Sequence, residues 1–172
     1  MGLNGLLMSN RLLHPLLWRG LGRLSILFFL VFTPFACKNN HISSIPSYAV
    51  SLQLNLTASY PTFKNSINQY LVIDERILET DRIGFGGVIV CSGRPENGVT
   101  RYYAYDLACP VEVKKNIKVV PLTDDLFKVR CEECGSEYYI GDGFGMPAAG
   151  KAKEPLRAYK TMFNGDILHI YN

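Results

Sequence analysis

Three cysteines in the second half of the chain have residue types and a spacing that suit chemistry. Cys109 stands in Asp106-Leu107-Ala108-Cys109-Pro110-Val111, and Cys131 and Cys134 stand in Val129-Arg130-Cys131-Glu132-Glu133-Cys134-Gly135-Ser136. Two short turns that each present soft sulfur ligands after a strand suit a metal ion or a cluster. A Cys-x-x-Cys turn curls the backbone so that both of its sulfurs face one point. A closed structural zinc site takes four ligands, and these turns supply three: Cys109, Cys131 and Cys134. Three readings of the group stay open. It holds a metal or cluster with a water or outside ligand, it is a degenerate site whose thiols pair in an oxidising setting, or it is a thiol–disulfide site. The last chemistry normally places Cys-x-x-Cys at a helix N-terminus, which lowers the thiol pKa, whereas Gly135-Ser136 leads into the strand-like Tyr138-Tyr139-Ile140.

Other residues read more plainly. Cys91 is expected to pair near Arg101 across a hairpin, many strand positions from Cys109, and to act as a small buried hydrophobe. His169 falls on an alternating strand and reads as a surface or satisfied residue. Asp124-Asp125 follows Pro121-Leu122-Thr123 and reads as a turn. Lys114, Lys115 and Lys118 read as a solvated loop face, and Tyr102, Tyr103 and Tyr105 as packing residues. Asn55-Leu56-Thr57 fits a glycosylation sequon, a match that carries weight only in a host that glycosylates such sites. The sequence carries no phosphate-cradling loop and no Ser/His/Asp set, so no small-molecule substrate and no catalytic residue is inferred.

On these motifs the chain resembles the Rieske iron–sulfur domain family. That family binds [2Fe–2S] through a Cys-x-His turn and a later Cys-x-x-His turn, with two cysteines on one iron and two histidines on the other. Cys109-Pro110-Val111 stands at the first turn (about 106–112) and Cys131 to Ser136 at the second (about 130–138). Cys134-Gly135-Ser136-Glu137-Tyr138 is similar to the family's His-Gly-Ser-x-Phe/Tyr. Gly145-Met146-Pro147-Ala148 and Pro155-Leu156 are similar to its Gly-Pro-Ala…Pro-Leu loop and final hairpin. The resemblance spans roughly Gly84 to Tyr171 and extends to Rieske-like lipoproteins of Bacteroides-type bacteria. It implies a Rieske-like antiparallel β-sandwich with a small cluster-binding-type loop subdomain. It also implies a [2Fe–2S] cluster or another metal, and single-electron transfer to a redox protein partner. The departures are in the ligands. Val111 occupies the first histidine position and Cys134 the second, and the only histidines are His14, His41 and His169. Cys109 and Cys131 carry over as ligands, and Cys134 as a changed, thiolate-capable position. If the site is degenerate, Cys109 and Cys131 are the pair expected to approach closely, and the domain acts as a structural or interaction module.

The elements that must position these residues read as strands. Val50 to Thr57 alternates apolar and polar at every step, the period of a half-buried strand. Tyr70-Leu71-Val72-Ile73 and Val88-Ile89-Val90-Cys91 are short apolar runs, the second rich in β-branched residues. Thr100 to Tyr105 reads as the return strand after the Gly/Pro/Asn-rich stretch 92–98, and Phe127 to Arg130 alternates again. Leu156 to Phe163 and Asp166 to Tyr171 flank Asn164-Gly165, a hairpin signal in which both central residues take positive φ. The glycine-rich stretch from Ile140 to Gly150 reads as an irregular loop. No segment after Cys37 sustains a helical period, so the fold class is all-β.

The apolar run Leu24 to Phe32 follows Arg11, Arg19 and Arg23 and ends at Thr33-Pro34-Phe35-Ala36-Cys37. A basic segment, an apolar segment and a small residue before a cysteine resemble a bacterial lipoprotein signal. On that reading residues 1–36 are removed and Cys37 carries lipid. Residues 37–48 then tether a domain of residues 49–172 to the periplasmic or outer-surface side of a membrane. An uncleaved anchor helix and ordinary secretion are the alternatives. The chain of 172 residues has 18 Lys+Arg and 15 Asp+Glu. Without the three leader arginines the two signs balance at 15 each, which excludes a polybasic nucleic-acid binder. An apolar content of 48% excludes disorder.

Overall fold

The computed structural model describes residues 43–172. The leader, Cys37, the first half of the tether, His14 and His41 lie outside the described residues. Among the described residues, no helix is long and apolar enough to cross a membrane.

The described chain is all-β, with eleven strands and a single one-turn helix. In chain order these are β1 (Val50–Asn55), α1 (Pro61–Lys64), β2 (Tyr70–Ile73), β3 (Arg82–Ile83), β4 (Val88–Ser92) and β5 (Tyr102–Asp106). They continue as β6 (Val119–Pro121), β7 (Lys128–Cys131), β8 (Glu137–Tyr139), β9 (Pro147–Ala149), β10 (Ala158–Phe163) and β11 (Ile167–Tyr171). Seven strands form one antiparallel sheet in the order β2-β4-β5-β10-β11-β1-β3, and four form a second in the order β6-β7-β8-β9. Both edge strands of the smaller sheet carry a proline, Pro121 in β6 and Pro147 in β9.

The alternation in β1 does what its period dictates. Val50, Leu52 and Leu54 are buried while Ser51, Gln53 and Asn55 are exposed. The buried face joins Leu168 and Ile170 of β11 with Ile73, Val88, Val90, Tyr102 and Ala104 in one core. Residues from strands near opposite ends of the large sheet therefore meet, which requires the sheet to curl nearly into a barrel.

All five residues of β4 are buried, and this non-alternating run has a physical cause. Val88 and Val90 face the first core, and Ile89 and Cys91 face a second one. β5 is divided in the same way, with Tyr102 and Ala104 on one side and Tyr105 on the other. The second core includes Val119, Val129, Cys131, Tyr138 and Ile140 from the smaller sheet and its continuation. The small subdomain is thus a sheet packed on the outer face of β4 and β5, more ordered than the loop structure expected.

Several local expectations need correction. The hairpin joining β10 and β11 is present, but its central residues are Gly165 and Asp166. The amide of Asn164 donates to Ile167 O at 3.2 Å, and Gly165 alone in the turn has positive φ, 99°. Glycine at the first central position is the requirement of a type II′ turn. Asn164 contributes its side chain instead, accepting from the amide of Ile167 at 2.8 Å. The stretch 140–150 is only partly a loop, because β9 lies within it and pairs with β8. An edge position accommodates Pro147, which has no N–H to donate. Cys91 pairs with Tyr103 rather than near Arg101, because Glu96 and Val99 bridge across a tighter turn. Packing also begins before residue 49. Ile45 is buried, its carbonyl accepts from Arg157 at 2.9 Å, and Ser47 Oγ accepts from the same guanidinium at 2.8 Å.

Candidate metal centre

The three cysteines read from the sequence as one group come together in space. The sulfurs of Cys109, Cys131 and Cys134 all lie within 4.8 Å of one another, with Cys109 Sγ and Cys134 Sγ 3.6 Å apart. They belong to two turns at one end of the smaller sheet. Cys131 is the last residue of β7. Ala108, just before Cys109, bridges Lys118 at the entry to β6, while the register Val119↔Cys131 ties β6 to β7. The sheet thereby holds both turns side by side. Cys109 and Cys131 are fully buried and Cys134 is half-buried.

The two turns repeat one backbone design. In the first, the amide of Val113 donates to Cys109 O at 2.9 Å; in the second, the amide of Gly135 donates to Cys131 O at 2.9 Å. In both, the residue four positions after the cysteine has positive φ, 52° at Val113 and 69° at Gly135. Glycine meets that demand without strain, whereas valine, branched at Cβ, clashes with its own backbone there. Val113→Gly should therefore stabilise the fold by about 1 kcal/mol, read as a rise in the urea midpoint at unchanged slope. A lowered midpoint would mean that the side chain of Val113 contributes more by packing than it costs in strain.

The electrostatics of the group are uneven. Burial, the largest influence, pushes the Cys131 thiol up to about 12, against opposing hydrogen bonds from the amides of Cys134 and Glu133. Those amides aim at the first sulfur of the knuckle, as the curled backbone requires. At Cys134 burial also acts upward, but hydrogen bonds outweigh it and hold the thiol below its ordinary value. They come from the side chain and backbone of Ser136 and from the Cys109 and Cys131 thiols. Ser136 is fully buried, and its Oγ lies 3.2 Å from Cys134 Sγ while accepting from the amide of Lys151 at 3.2 Å. Tyr138 Oη sits 3.6 Å from Cys109 Sγ. Burial, then the hydrogen bond with Cys109 and the charge of the three cysteines, raise its pKa. It stays a phenol, able to donate to a thiolate.

Asp106, at the C-terminal end of β5, is a positioning residue that pattern reading missed. It is fully buried and accepts from the amides of Phe85 at 2.9 Å, Gly86 at 3.0 Å and Ala108 at 2.8 Å. It also accepts from Tyr159 Oη at 2.5 Å. One carboxyl thus fixes the backbone one residue ahead of Cys109. The only signal in the sequence is an acid closing an otherwise apolar aromatic strand.

The remaining candidates fall elsewhere. Cys91 is buried in the second core, with its thiol pushed up to about 12 by burial, and does not join the group. His169 lies on β11 opposite Gln53 and Met162, away from the cysteines. Asp125 forms the expected turn, accepting from the amide of Phe127 at 3.1 Å and pairing with Lys128 at 3.1 Å. Val111, in the turn after Cys109, is 39% exposed. Lys115 departs from a simply solvated face, since its ammonium lies 4.6 Å from the centre of the Tyr48 ring. The three cysteines form a group that can hold a metal ion, and Tyr138 and Ser136 surround it. Compared with known proteins, the chain matches no family model and no curated protein.

Proposed function

We propose that this is a metal–thiolate protein in which Cys109, Cys131 and Cys134 bind one thiophilic ion of the zinc class and lock together the two turns of the smaller sheet. The observation that carries this reading is the convergence of three sulfurs within 4.8 Å. With a Zn–S bond of about 2.3 Å, a tetrahedral ion separates its sulfurs by about 3.8 Å, and the Cys109–Cys134 pair is already at 3.6 Å. A two-Cys, two-His [2Fe–2S] cluster does not fit the donors. Val111 is hydrocarbon, no histidine joins the group among the described residues, and the sulfurs face one point where two irons need two separate ligand pairs. The ion's contribution is structural in this reading; if the metal were iron, the same site would pass single electrons to a redox partner.

The sequence of the leader supports export and a membrane location through lipid on Cys37, on the periplasmic or outer-surface side. The full chain, expressed in a bacterium and purified in detergent without oxygen, tests both parts. One zinc-class ion per chain is expected, together with loss of detergent partitioning in Cys37→Ser. A metal-free protein with one disulfide among Cys109, Cys131 and Cys134 would favour the structural module without metal, to which the 3.6 Å sulfur contact also lends itself. Unchanged partitioning in Cys37→Ser would point to an uncleaved helix as the anchor.

A further inference from the structure

Three thiolates leave a tetrahedral ion one ligand short, and the repetition of the two turns indicates where the fourth comes from. In the second turn the ligands are Cys131 and the residue three positions on, Cys134, followed by the left-handed Gly135. The first turn has the same bond from the fifth residue's amide to the cysteine carbonyl, at the same 2.9 Å, and the same left-handed residue at its end. The place that corresponds to Cys134 is therefore Glu112, and the place between the ligands is Val111. We infer that Glu112 is the fourth ligand, completing a three-cysteine, one-carboxylate centre for a divalent ion.

Two further observations agree with this. Glu112 is half-buried, yet among the described residues no hydrogen bond or ion pair engages its carboxylate. Val113 holds the left-handed conformation at a cost in strain, and strained backbone of this kind collects at functional sites. In the structure the carboxylate lies outside the 4.8 Å group of sulfurs. Glutamate has a longer side chain than cysteine, so it reaches a common ion from a backbone place equivalent to that of Cys134. Carboxylate oxygen bonds zinc at a length similar to imidazole nitrogen, about 2.0–2.2 Å. A neutral centre does not result: three thiolates and one carboxylate around a divalent ion leave a net charge of about −2. Tyr138 O–H and the amides of Glu133 and Cys134 are the donors that face this charge.

The inference rests on the metal-binding reading, and the experiment separates the two. Metal-free full-length protein, reduced and kept without oxygen, is titrated with Co²⁺ alone and then displaced by Zn²⁺, for wild type, Glu112→Gln and Glu112→Cys. Wild type should give the intense visible bands of four-coordinate cobalt. Glu112→Gln should bind about 10–100-fold more weakly or worse, because even supporting partners of a ligand are worth that much. Its visible bands should weaken, with melting of the metal-free protein unchanged. Glu112→Cys should bind tightly and show thiolate-to-cobalt charge transfer raised from three sulfurs' intensity to four. A wild-type protein that takes up no Co²⁺ overturns the metal-binding reading and this inference with it. Co²⁺ binding with the same affinity and spectrum in wild type and Glu112→Gln overturns the inference alone, and leaves water as the fourth ligand.

Discussion

Cys131→Ser should abolish the rise in melting temperature that Zn²⁺ gives the wild-type domain. An ion that binds only the folded state stabilises it by about 2.7 kcal/mol when free ion exceeds its dissociation constant a hundredfold. For a domain of this size that is a rise of about 10 °C in Tm. Cys131 is the decisive position because it is fully buried, ends β7 and pairs with Val119, so its sulfur cannot be replaced by another group swinging in. Serine offers a hydroxyl that is a far poorer ligand than a thiolate at neutral pH. Calorimetry with and without Zn²⁺, under reducing conditions, measures the effect. The same Zn²⁺-dependent rise in wild type and Cys131→Ser would place the ion away from this group.

Asp106→Ala should lower the stability of the metal-free domain by about 3–5 kcal/mol. The loss would strand the amides of Gly86 and Ala108 in a buried site, together with the hydroxyl of Tyr159. An unmade hydrogen bond of this kind costs about 1–3 kcal/mol per group. Tyr159→Phe removes one donor and leaves Asp106 its three amides, so about 1 kcal/mol is expected there. Urea denaturation of both variants measures the difference. Equal losses would show that the phenol carries the network and that the backbone amides find water. In Asp106→Ala the first turn should also loosen, because Ala108 adjoins Cys109, so its Co²⁺ affinity should fall along with its stability.

The sequence was most legible where one physical period dominates. β1 has one buried face and one wet face, and its alternation declares both. β4 is buried on both sides, which leaves no alternation, so its place between two cores was invisible in the pattern. β6 and β9 have three residues each, too few for a period, and β9 hides within glycines. The cysteine group was legible from residue type, because thiols at a two-residue spacing have few other reasons to be there. The correspondence of Glu112 with Cys134 was not, since it lies in hydrogen bonds and backbone angles, and a left-handed valine gives no warning of itself. Asp106 escaped because one acid at a strand end looks the same whether it meets water or four donors.

The prolines in β6 and β9 affect how molecules of this protein behave toward one another. An open sheet edge offers its free N–H and C=O groups to any extended chain that comes close. Pro121 and Pro147 each remove a donor from the two edge strands of the smaller sheet. A second molecule that approached either edge would find the row of hydrogen bonds broken after one or two steps, which discourages sheet-to-sheet growth into fibres. Wherever molecules of this protein are crowded and meet often, such a self-terminating sheet would keep a dense population of neighbours separate.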